Sequence, residues 1–122
     1  MTIHRRHIQS GSVWEGRVGY SRAVRVGNMV FVAGTTGDGP NAYVQAKAAI
    51  AKIGLALEEA GASFDDVVRT RMFVTDIADW ESVGKAHFEA FGEVRPVATM
   101  VQVAALIAPE LLIEIEVDAY VE

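Results

Sequence analysis

The chain has 122 residues, 51% of them hydrophobic, enough for one domain with its own core and with little room for a second. It contains no cysteine, which excludes disulfide frameworks, thiolate metal sites and cysteine nucleophiles. Eleven Lys and Arg against sixteen Asp and Glu leave a net charge of −5, the opposite of the basic face a nucleic-acid binder presents.

The chain opens with His4, Arg5, Arg6 and His7 and no apolar stretch behind them, so a secretory leader is not expected. No apolar run approaches the roughly 20 residues that span a bilayer. The expectation is a cytoplasmic protein without membrane contact: a single domain over 1–122, with 1–12 loosely ordered or an edge strand.

Val24-Arg25-Val26 and Met29-Val30-Phe31-Val32 flank Gly27-Asn28 and predict a β-hairpin, because Gly-Asn suits the positive φ of a two-residue turn. Gly34 to Pro40 is a loop of turn residues. Asn41 then stands as an N-cap, and Ala46, Ile50, Ile53, Leu57 and Ala60 recur at helical spacing. Lys47, Lys52, Glu58 and Glu59 lie off that stripe, and Gly61 follows as a stop. Val67 to Thr75 alternates, with Val68, Thr70, Met72 and Val74 predicted on one face and Arg69, Arg71 and Phe73 on the other. A second helix begins at Asp76 or Asp79, buries Trp80, Val83, His87, Ala90 and Phe91, and closes at Gly92. Ala98 to Leu106 and Leu111 to Val121 are the last strands. In the final one Ile113, Ile115, Val117, Ala119 and Val121 oppose Glu114, Glu116 and Asp118. The order β-β-α-β-α-β-β predicts an α+β fold with two helices on one face of a single sheet. Its other face would carry Arg69, Arg71, Glu114, Glu116 and Asp118 together with Phe73 and Met100, too apolar a mixture to stay bare.

Ordered landmarks run along most of the chain: Gly19-Tyr20-Ser21-Arg22-Ala23, then Gly27-Asn28-Met29 through Gly34. Leu57-Glu58-Glu59-Ala60-Gly61, Val74-Thr75-Asp76, Arg95-Pro96-Val97-Ala98-Thr99-Met100-Val101-Gln102-Val103 and Ile113-Glu114-Ile115-Glu116 follow. From about Gly19 to Ala119 the chain resembles the RidA family (YjgF, the reactive intermediate deaminases, formerly labelled L-PSP endoribonucleases). The resemblance implies a chorismate-mutase-like α+β fold, one mixed sheet with two helices packed on one face, assembled as a homotrimer with three clefts between subunits. It also implies a small-molecule ligand at those interfaces and no cofactor or metal.

In imine-hydrolysing members an arginine in a Pro-Ala-Arg-Ser/Thr motif grips the substrate carboxylate, a task that suits the planar guanidinium fork. A glutamate of the Glu-Ile-Glu strand handles the attacking water, and a tyrosine near the start closes the cleft. By the resemblance Glu114 and Tyr20 match, but the arginine position is Ala98, in a register that Pro96 and Thr99 hold without a gap. Arg95 lies three residues off, roughly 10 Å along an extended chain and on the opposite face by parity. Ala33 replaces the serine before Gly34, and Gly84 replaces the helix asparagine. The cleft residues implied are therefore Tyr20, Arg22, Ala33, Gly34, Gly84, His87, Ala98 and Met100, with Glu114 positioning water.

Each candidate has a plainer reading. Glu114, Glu116 and Asp118 can simply pair with Arg69 and Arg71. Tyr20 fits an amphipathic seam, and Arg22 shares its face if the segment is extended and can offer a replacement guanidinium. His87 has no second ligand at metal spacing and reads as a packed helix residue. Gly34 to Gly39 lacks the Gly-Lys-Ser/Thr of a phosphate loop. The expected function is small-metabolite binding or a divergent hydrolase, with imine deamination absent. The alternatives are a 2-imino acid deaminase using another cation and, behind it, an endoribonuclease.

Overall fold

The computed structural model describes residues 4–122, and 1–3 lie outside the described residues. Six strands form one sheet in the order β1-β2-β3-β6-β4-β5. β1 (Arg5–Ile8) is the edge strand that the opening segment was expected to supply if ordered, and it pairs antiparallel with β2 (Ala23–Val26). β2 turns into β3 (Met29–Thr35) through Gly27, whose φ of 59° is the only positive value in that turn. β4 (Val67–Val74) pairs antiparallel with β6 (Ile113–Tyr120) and parallel with β5 (Val97–Gln102). A parallel pair needs a long crossover, and α2 (Trp80–Phe91) supplies it. α1 (Ala42–Glu59) packs on β3, β6 and α2. The architecture is the expected α+β one, a mixed sheet with its helices over one face.

The core follows from two periodicities meeting. Ala46, Ile50, Ile53, Leu57 and Ala60 from α1 bury against Ile113, Ile115, Val117 and Ala119 from β6 and against Val30 of β3. Asn41 caps α1 by accepting from Val44 N at 2.9 Å. The C-terminus closes in a Schellman motif, with Ala62 N donating to Leu57 O (2.8 Å) and Gly61 N to Glu58 O (3.0 Å). Arginines of β2 and β1 complete that end: Arg25 Nη1 donates to Ala60 O (2.8 Å) and Arg6 Nη2 to Glu59 O (2.9 Å). Gln45, buried on α1, donates to Gly39 O and Glu110 O and accepts from Leu112 N, tying the loop before β6 to the helix.

Several predicted details shift. A bulge between Val67 and Arg69 puts Val67, not Val68, on the buried face, and Val68 is 45% exposed. Trp80 is 56% exposed, because the helical turn Ile77–Asp79 that Asp76 caps precedes α2 and turns its first residue outward. β5 ends at Gln102 rather than Leu106, and β6 spans 113–120. Met100 pairs with Met72 and thus faces the helices, not the charged face, where Val97, Thr99 and Val101 stand instead. Arg95 is not extended: its φ of 55° is the left-handed conformation, so strand parity does not govern it. The charged face pairs Arg71 with Glu116 (3.2 Å) and Asp118 (3.5 Å), and Arg69 with Asp118 (4.0 Å), whereas Glu114, expected with them on the plainer reading, pairs with neither arginine and lies over Gly34 instead. These half-exposed pairs contribute little stability.

Gly61 adopts φ 79°, and a Cβ there would also meet Arg25 Nη1 at 2.9 Å. Gly61→Ala is expected to destabilise the fold by about 1–2 kcal/mol, read from the denaturation midpoint; an unchanged midpoint would contradict the Schellman closure.

Candidate functional site

The site grows from an arginine that is largely withdrawn from water. Arg22 precedes β2, its backbone held on both sides: its N donates to Ile8 O (2.8 Å), and Ala33 N donates to its O (2.9 Å). Its side chain, 12% exposed, is enclosed by acceptors. Nη1 donates to Gly34 O and Thr35 Oγ1, both at 2.9 Å, Nη2 reaches Tyr20 Oη at 3.4 Å, and Nε faces Glu15 Oε2 at 3.5 Å. The guanidinium also lies 5.7 Å from the Tyr20 ring centroid. Glu15 is 4% exposed and opens a π-helical turn, Glu15–Gly19, closed by Tyr20 N on Glu15 O (3.0 Å). Its carboxylate accepts from Ser10 N (2.9 Å) and Ser10 Oγ. Burial pushes the Glu15 carboxyl up, but the Ser10 hydrogen bonds and the Arg22 charge outweigh it and hold it below the usual range.

Next to this cluster β3 bulges. Val32 pairs with Val117 and Thr35 with Ile115, so Ala33 and Gly34 together oppose one residue of β6. The bulge brings Gly34 under the carboxylate of Glu114, where a Cβ would sit 2.6 Å from Oε2 and 2.8 Å from Cδ. Only a glycine leaves room for that approach. Burial, then repulsion from Glu116, raises the Glu114 carboxyl above the usual range, with Arg22 pulling the other way. A carboxylate so placed accepts a proton more readily than a solvated one.

Tyr20, Arg22, Gly34 and Glu114 all line one groove of about 1010 Å³. Trp14 and Val18 wall it from the segment 9–20, Leu55 from α1, and Ile107 and Leu111 from the loop before β6. Its remaining charges are Lys52, donating to Thr36 O at 2.9 Å, and Glu59 and Glu110. The other predicted residues gather elsewhere. Gly84 and His87 line a smaller depression of about 320 Å³ with Phe88, Phe91, Gly92, Arg95 and Pro96. His87 Nε2 shares a 2.8 Å hydrogen bond with the buried Thr70 Oγ1, and burial lowers its pKa, which favours the neutral ring. Ala98 pairs with Thr70 and therefore faces the helix side, as Met100 does. Ala33 sits in the bulge but does not line the groove. Within one chain, then, Ala98 and Glu114 stand on opposite faces of the sheet. Among the described residues no three His, Asp or Glu side chains gather as a metal site requires. No helix there is long and apolar enough to cross a membrane.

Sequence reasoning missed Glu15, although it is the only acidic residue between Ile8 and Arg22. The stretch carries no periodicity to show that its carboxylate turns inward.

The model of the endoribonuclease L-PSP family matches residues 14–121, which include the Glu15–Arg22 pair, the bulge and Glu114. The chain belongs to the YjgF/RidA family. Among solved structures of the family, Rv2704 of Mycobacterium tuberculosis, of the YjgF/YER057c/UK114 family, is 57% identical. It superposes with a TM-score of 0.96 over 97% of this chain and 100% of its own. An uncharacterized protein of Streptomyces coelicolor, SCO2049, is 41% identical over 94% of this chain and 91% of itself. The 2-iminobutanoate/2-iminopropanoate deaminase of Homo sapiens is 31% identical over 83% of this chain and 80% of itself.

Gly34→Ala tests the approach to Glu114. The atoms a methyl would strike are the far end of a flexible side chain, so the melting temperature should move little while the carboxyl swings toward water. The carbon-13 titration of Glu114 is expected to move down toward the ordinary carboxyl value; an unmoved titration would contradict the geometry.

Proposed function

We propose that the chain is a family trimer with a small-molecule cleft between subunits, in which Glu114 handles water and no carboxylate clamp remains. Imine deamination of 2-imino acids is then not its activity. It acts as a divergent hydrolase on a small, uncharged or cationic molecule with an electrophilic carbon. The observation that carries this reading is the state of Arg22. It is the one guanidinium lining the groove among the described residues, and its donors already go to Gly34, Thr35, Tyr20 and Glu15. Lys52 is turned onto a backbone carbonyl, while Glu59, Glu110 and Glu114 line the same walls. Such a groove disfavours an anionic substrate. In the chemistry proposed, water adds to the electrophilic carbon as Glu114 accepts its proton, and Glu114 returns that proton to the departing group.

Two features support assembly. The outer sheet face carries Phe31, Val97 and Val101, each more than 40% exposed, beside Arg69, Arg71, Glu116 and Asp118, and the register aligns them. The depression at His87 and the groove at Glu114 lie on separate parts of one chain, an arrangement that suits a cleft closed by two subunits. The acidic lining and the net charge of −5 oppose a phosphodiester backbone, so the endoribonuclease reading has the weaker support.

Light scattering at micromolar concentration is expected to give three times the chain mass, and a monomer would sink the assembly. With 2-iminobutanoate generated in situ by an amino-acid oxidase, ammonia release should match the buffer rate. Turnover well above that rate would show that another residue grips the carboxylate.

A further inference from the structure

We propose that Glu15 is a specificity-determining residue: its carboxylate occupies the Arg22 guanidinium that a ligand carboxylate would otherwise take, so the groove rejects small carboxylates. The inference rests on the reading that this groove is the ligand site.

A guanidinium grips a carboxylate through two parallel N–H bonds, and the fork made by Nε and Nη2 is one of the faces that can do so. In Arg22 the Nη1 donors are fully used by Gly34 O and Thr35 Oγ1, which fix the ring of contacts around the β3 bulge. The Nε–Nη2 edge is what remains, and Glu15 Oε2 faces Nε at 3.5 Å while Tyr20 Oη stands 3.4 Å from Nη2. Glu15 does not itself line the groove; it covers the one pairing edge of Arg22 that the β3 bulge leaves, from within the wall that Ser10, Tyr20 and Arg22 form. It is also held there independently of Arg22. Ser10 donates to it through both its backbone N (2.9 Å) and its hydroxyl, and the segment that carries it turns at Gly11 (φ 85°) and Gly19 (φ 90°). A buried carboxylate with three partners is costly to displace, and a ligand carboxylate would have to displace it.

The charged groups that face Arg22 are Glu15 and, from β6, Glu114. Removing the Glu15 carboxylate leaves Glu114 as the only carboxylate acting on Arg22, and Glu114 stays over Gly34. The Nε–Nη2 edge is then uncovered behind the wall that Ser10 and Tyr20 give the groove.

The test compares the full chain with Glu15→Ala, which removes the carboxylate and uncovers the edge, using 2-oxobutanoate as an inert carboxylate probe. Nitrogen-15 amide shifts of Gly34 and Thr35 report binding. The unmodified protein should show no saturable shift at millimolar probe. Glu15→Ala should saturate at least about tenfold more tightly, as expected for a freed bidentate site, and adding Arg22→Gln should abolish that gain. Should Glu15→Ala fail to fold, Ser10→Ala, which keeps the charge but loosens its hold, should show weaker Arg22-dependent binding of the same probe. Arg22-dependent binding to the unmodified protein, or no binding to whichever of these variants folds, would overturn the proposal. No step of this test involves turnover, so an inactive Glu114 would defeat the functional reading without touching it.

Discussion

A guanidinium withdrawn from water must be surrounded by acceptors, and much of the groove side of this fold is the consequence of enclosing Arg22. Its side chain recruits a backbone carbonyl and a hydroxyl from β3, a phenol from its own segment and a carboxylate from the π-helical turn. These partners come from two stretches of chain, β3 and the segment that leads into β2. Together they fix the edge of the sheet to the segment 9–20 and set the shape of the β3 bulge. The bulge in turn brings Gly34 beneath Glu114. One cluster therefore holds the sheet edge, the bulge and the approach of Gly34 to Glu114, and a substitution in it alters all three.

The same enclosure explains the groove's electrostatics. A free arginine beside Glu114 would hold that carboxyl ionised and draw anions to the site. Paired with Glu15, it does much less of either, and burial of Glu114 together with Glu116 nearby prevails. A carboxylate raised in this way is better suited to moving a proton than to making an ion pair. The contrast on the outer face is instructive. Glu116 and Asp118 meet Arg71 and Arg69 directly there, and neither has any feature that distinguishes it from an ordinary paired residue.

Much of this architecture was legible from local pattern. The stripe of α1, its Asn41 cap and its Gly61 stop depend on residues a turn or two apart, and the strict alternation of β6 depends on neighbours of neighbours. Errors fell where a local rule met a longer-range one. Alternation puts Val68 on the buried face only in an unbroken strand, and the bulge shifts the register by one residue. Nothing in the strand of Met100 specifies which neighbour it pairs with, so its own pattern does not reveal that it faces the helices. Strand parity does not apply to Arg95, which adopts a left-handed turn after α2 and lines the depression with His87.

The sequence by itself determined the elements, the family, the candidacy of Glu114 and Tyr20, and the absence of arginine at position 98. These are properties of composition, short spacing and ordered motifs, which need no knowledge of what lies across the fold. Only the tertiary structure decided that Arg22 is enclosed, that Glu15 is its partner, that Gly34 yields its space to Glu114, and that Ala98 and Glu114 stand on opposite faces. Those facts depend on which strands pair, where the ladder bulges and how an aperiodic segment closes over the edge. Burial then converts such placements into chemistry, because a charge removed from water takes its properties from whichever groups happen to surround it.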